Sequence, residues 1–68
     1  MTWNHRVMLD RYGYHTIREV YYHADGTIEN WTADPVHPMG ETPDELAHEL
    51  ARFIRALNEP VLNEEELA

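Results

Sequence analysis

The 68-residue sequence predicts an α+β domain, a three-stranded antiparallel sheet with one amphipathic helix packed on one face. Three observations carry this. Residues 2 to 32 alternate in character, are rich in Val, Ile, Thr, Tyr and Trp, and are broken by glycine at Arg11-Tyr12-Gly13 and Ala24-Asp25-Gly26. From Pro43 to about Leu57, Leu46, Leu50, Phe53, Ile54 and Leu57 recur at helical spacing. Between the two patterns stands Thr42-Pro43-Asp44-Glu45, where a capping hydroxyl, a proline suited to the first helical position and two carboxylates at the positive end of the helix dipole mark one boundary.

In the first hairpin, a three-residue loop with Gly13 left-handed sets the register. Val7 then faces Ile17, Trp3 faces Tyr21, His5 faces Glu19 and Leu9 faces His15, so the odd positions form a largely apolar face for the helix to cover. The even face holds Asn4, Arg6, Asp10, Thr16 and Arg18 and is expected to be solvated. It sets Arg6 opposite Arg18, a like-charge pair that counts against this register unless Glu29 or another carboxylate on the third strand sits between them.

The second hairpin has two readings. A two-residue turn at Asp25-Gly26 puts Ile28 in the core and Trp31 outside, and a three-residue loop does the reverse. Either way a large apolar group joins Met8, Val20 and Tyr22 on the outer face, and these five residues are the candidate protein contact surface. Pro35, Pro38 and Gly40 mark a connecting loop. In the expected capping box the Thr42 hydroxyl accepts the Glu45 amide and the Glu45 carboxylate reaches back to the Thr42 amide. Asn58 and Pro60 end the helix, and Pro60-Val61-Leu62 suits a short fourth edge strand. The domain thus spans residues 1–62, and 63–68 is expected to be an acidic C-terminal tail in which Asn63-Glu64-Glu65-Glu66 either starts a last turn of helix or frays.

Thirteen acidic residues against five arginines give a net charge of -8, which repels phosphate backbones and argues against nucleic acid and anionic membranes as partners. No stretch approaches the roughly 20 apolar residues of a membrane span, and the first residues lack the apolar region of a leader, so a cytoplasmic protein, mature as written, is expected. Cysteine is absent, which removes disulfides and thiolate chemistry. A chain this short buries only about 60% of its unfolded surface, so self-association, most simply as a homodimer, is expected to supplement its core.

Gly40-Glu41-Thr42 followed by Asp44-Glu45-Leu46, after three strands and a proline-containing loop, resembles the HicB-type antitoxin module. The resemblance spans roughly residues 5 to 57. It implies a partial RNase H-like β-β-β-α fold, self-association and binding of a small basic ribonuclease toxin. Such antitoxins usually add a DNA-binding segment, and nothing after Leu62 supplies one here.

Chemistry-bearing groups are few. His5, His15, His23, His37 and His48 are scattered over strands, loop and helix without the spacing of a metal site. His5 and Glu19 share the apolar face and make a candidate acid–base pair, but serine and cysteine are absent and no oxyanion donor set accompanies them, so no catalytic residue is assigned. Three separated glycines form no phosphate loop, and no cofactor or metal is expected. The function expected is a non-enzymatic protein-interaction module. The competing reading is a small metal-binding protein or enzyme built on His5, Glu19 and neighbouring His and acidic groups.

Overall fold

The computed structural model describes residues 2–68. The chain runs β1 (Thr2–Leu9), β2 (His15–Tyr22), β3 (Ile28–Trp31), α1 (Pro43–Ala56), β4 (Leu62–Asn63) and α2 (Glu64–Leu67). The strands form one mixed sheet in the order β3-β2-β1-β4, with β4 parallel to β1 and the other pairs antiparallel. It is the expected α+β fold, three antiparallel strands plus a short fourth at the edge.

The register of the first hairpin is the expected one, with Trp3 opposite Tyr21, His5 opposite Glu19, Val7 opposite Ile17 and Leu9 opposite His15. Gly13 sits at φ +87° and closes the loop by donating its amide to the Asp10 carbonyl. A residue with a Cβ would be strained there. The Asp10 carboxylate tightens the turn by accepting the amides of Tyr12 and Tyr14.

The second hairpin follows neither simple reading. Its loop has three residues, since His23 donates to the Thr27 carbonyl across Ala24-Asp25-Gly26. A shift between Tyr21 and Tyr22 then absorbs one residue of β3, so Ile28 pairs with Tyr22 and Trp31 pairs with Val20. The bulge returns Trp31 to the even side, and both large residues belong to that face. Pairing continues past β3, where the amides of Thr32 and Val36 donate to the carbonyls of Glu19 and Ile17.

The even face is not open. Met8 and Val20 are fully buried and form its centre. The last residues of the chain join this side of the sheet. Leu62 pairs beside Met8, and of the two readings of the acidic tail the structure has the helical one, α2. Asn63 caps α2 by accepting the Glu65 amide, and Glu64 pairs with Arg18 at 3.2 Å. Arg18 is itself only 3% exposed and also donates to the carbonyls of Thr32 and Ala33. Arg6 reaches the other way, donating to the Pro60 carbonyl and to the Tyr22 hydroxyl, which donates onward to Asn4. The two arginines do stand opposite each other, and their repulsion is relieved by divergence toward separate acceptors. The neutralising carboxylate is Glu64, not Glu29, which lies 3.4 Å from His23 instead.

α1 begins as its sequence dictates. Thr42 accepts the Glu45 amide at 3.1 Å, Pro43 opens the first turn, and Asp44 and Glu45 occupy the positive end of the dipole. The Glu45 carboxylate reaches one residue further back than a standard capping box and accepts the Glu41 amide at 2.7 Å. Gly40 is needed for this close entry, because a Cβ there would come within 2.6 Å of the Leu46 nitrogen. The helix lies on the odd face, mainly along β1. It presents one edge of its apolar face to the sheet rather than the centre. Phe53 packs against His5 and Ala56 is buried, whereas Leu46, Leu50, Ile54 and Leu57, expected to point at the sheet, face outward.

Candidate functional site

Two features stand out once the fold is in place: a histidine enclosed between β1 and α1, and the apolar stripe that α1 leaves uncovered.

His5 lies under the helix at 6% exposure. Trp3 meets it edge-on at 5.3 Å between ring centroids, and Phe53 closes from the helix side at 4.7 Å. Its nearest carboxylate is Glu49, with Nε2 3.8 Å from Oε1. Glu19, the expected partner, sits opposite on β2 but accepts the Tyr21 hydroxyl at 2.6 Å. That bond pushes the Tyr21 phenol up, since ionising it would set two negative charges together.

Desolvation by burial is the largest influence on His5 and holds its pKa below 6.5. Glu49 and Glu19 oppose that trend and Arg52 reinforces it. The imidazole is therefore neutral at pH 7, and its contact with Glu49 is a polar contact rather than a formed ion pair. Arg52 completes the cluster, stacked over the Trp3 ring at 5.1 Å and 3.7 Å from the second Glu49 oxygen. The arrangement places a base next to aromatic walls with no nucleophile beside it. The depression next to it, lined by Trp3, Asn4, His5, Arg52, Arg55 and Glu59, has a volume of about 300 Å³, the lower end for a small-molecule site.

The remaining histidines do not join this cluster. His15, His23, His37 and His48 are exposed and belong to different elements. Among the described residues no three His, Asp or Glu side chains are grouped as metal ligands would be.

The five contact candidates of the outer sheet face separate under the structure. Met8 and Val20 are fully buried and present no surface to a partner. Tyr22, Ile28 and Trp31 are half-buried on the same side.

The large uncovered apolar surface lies instead on α1. Leu46 is 37% exposed, Leu50 44%, Ile54 64% and Leu57 69%. At 3.6 residues per turn, Leu46, Ile54 and Leu57 all fall within about 40° of Leu50, so the four form one continuous line. Glu49, Phe53 and Ala56, which face the sheet, are centred about 90° further round the helix. The sequence does carry the signal for this stripe, since its spacing is plain. What it does not carry is the angle at which the helix settles, which depends on a histidine, a glutamate and a phenylalanine filling the space above β1.

The total accessible surface is larger than the average for a chain of this mass. It is 5069 Å², against about 4,450 Å² expected of a folded monomer of this mass. Among the described residues no helix is long and apolar enough to cross a membrane. Compared with known proteins, the chain matches no family model, no curated protein and no solved structure.

Proposed function

We propose that this chain is a small non-enzymatic protein-interaction module that binds through the outward stripe of α1. One observation carries the reading: Leu46, Leu50, Ile54 and Leu57 stand in a row on a well-capped helix, uncovered, in a domain whose buried apolar core among the described residues is Val7, Met8, Val20 and Ala56. A chain with so small a core gains more from covering that row than from any other single contact. The expected contact surface thereby moves from the sheet to the helix. The reading includes self-association, and the charge of -8 favours a basic protein as any further partner, in keeping with the antitoxin-like role that the resemblance implies.

The test is binding by an immobilised chain, wild type against Leu50→Glu, with circular dichroism confirming that both are folded. The wild type should retain a protein, either itself or another from the host, that the variant does not. Equal retention by both would leave the stripe without a role.

A further inference from the structure

We propose that the depression between the uncovered edge of β1 and the second half of α1 binds a small monocarboxylate with a planar body, its carboxylate held by Arg55 and the donors of His5. The site is separate from the α1 stripe and does not depend on the reading drawn from it.

The sheet edge is the first argument. β4 pairs only with Met8 and Leu9, so β1 from Thr2 to Val7 has no strand on that side among the described residues. The Asp10 amide donates to the Tyr14 carbonyl. Continued along the hairpin, that pattern bonds the even residues of β1 to β2 and turns the backbone N–H and C=O groups of the odd residues toward the bare edge. Trp3 and His5 therefore present backbone donors beside the depression, which they line together with Asn4, Arg52, Arg55 and Glu59.

The imidazole is the second argument. His5 is 6% exposed, and its Nε2 stands 3.8 Å from Glu49, beyond hydrogen-bond length. Neither ring nitrogen is hydrogen-bonded among the described residues, yet neither is sealed, since the enclosed side-chain polar atom without a partner is Arg6 Nε. The access the ring keeps is to the depression it lines. A polar group so deeply set and unpaired favours an occupant that hydrogen-bonds to it.

Charge is the third argument. Two of the chain's five arginines flank the depression although the net charge is -8. Arg52 is offset by Glu49 and stacks over Trp3. Arg55 is exposed and in no ion pair among the described residues. Its guanidinium suits a carboxylate, which it can grip through two N–H groups, while Glu49 and Glu59 oppose a doubly charged anion such as phosphate. Exposed Trp3 and the flat guanidinium of Arg52 over it supply planar surfaces for the body of the ligand.

NMR titration with sodium benzoate at pH 7.5 tests the proposal, with benzamide and inorganic phosphate as the neutral and doubly charged arms. Benzoate should shift the Trp3 indole and the His5 ring and amide signals with a Kd in roughly the millimolar range, the affinity open to so small a ligand. Benzamide and phosphate should each bind at least ~10-fold more weakly. Arg55→Gln, a substitution at an exposed position checked for folding by circular dichroism, should weaken benzoate by about 10-fold. Bound benzoate should also raise the pKa of His5, which an imidazole with a merely structural role would not show. Leu50→Glu, on a different side of the helix, should change benzoate affinity by less than about 2-fold, so the site and the stripe fail separately.

The proposal is overturned by the absence of a saturable shift at Trp3 and His5, by benzamide or phosphate binding as tightly as benzoate, by full affinity in Arg55→Gln, or by a His5 pKa that benzoate leaves unmoved.

Discussion

On one side of the sheet Met8 and Val20 are wholly enclosed, and the arginines beside them are bonded to backbone carbonyls, Tyr22 and Glu64. On the other, a single helix touches β1 along one edge and turns four large apolar side chains outward. The first side is closed with little apolar area and many polar ties, and the second has ample apolar area and little to cover it. The two sides should therefore respond to substitution in different ways. Damage to the first should unfold the domain, whereas damage to the second should change its company.

The largest effect is expected at Arg18. Arg18→Met strands Glu64 and takes a donor from the carbonyls of Thr32 and Ala33, costing about 3 to 4 kcal/mol in urea unfolding. A stability equal to wild type would mean that polar ties do not close this side. Met8→Ala should follow at about 3 kcal/mol, because it opens a cavity where no side chain can swing in from solvent.

Thr42→Ala removes the cap that anchors the open side's helix and should cost about 1 kcal/mol, visible as a lowered Tm. A larger loss would show that the helix start organises more than its own first turn.

The pH response sharpens the contrast at His5. Its folded pKa lies below the unfolded value near 6.5, so the unfolded chain binds the proton more readily. The stabilising effect of the neutral imidazole is complete above about pH 7 and is lost as pH falls through 6.5 toward the folded pKa. Thermal unfolding of wild type between pH 7.5 and 5 should show this decline, and His5→Gln should reduce it. Parallel slopes in the two proteins would exclude His5 as its source.

The smallest effect on the isolated chain is expected on the stripe. At dilutions where the protein is monomeric, Ile54→Ser should alter stability by less than about 0.5 kcal/mol, since the side chain is already 64% exposed. A cost near that of Met8→Ala would place Ile54 in the monomer's own core.

How much of this was legible in the residues depended on whether a feature is local. The register of the first hairpin followed from Gly13 and alternation alone, and α1 was announced by Thr42, Pro43 and the spacing of its leucines. The second hairpin escaped because loop length alone does not set register when a bulge intervenes, and a bulge of this kind leaves no mark in a single sequence. The covered face escaped for a different reason. Arg18 and Glu64 are 46 residues apart, and nothing in either residue names the other. The expected His5 and Glu19 pair came from correct strand geometry, yet Glu49 is the nearer carboxylate, because the helix brings a residue that hairpin reasoning does not include.

The parallel pairing of Met8 with Leu62 has a kinetic consequence. β4 has only two residues to repay closure of a very long loop, and the Arg6 bond to Pro60, which helps hold it, spans 54 positions. Contacts of that reach should form late in folding, after the β1–β2 hairpin has zipped from its turn. The same strand should be the first to release, so amide exchange at Leu62 and Asn63 should outpace that at the centre of β1 and β2. Each such excursion would take from Met8, a fully buried side chain of the resting molecule, its strand neighbour Leu62.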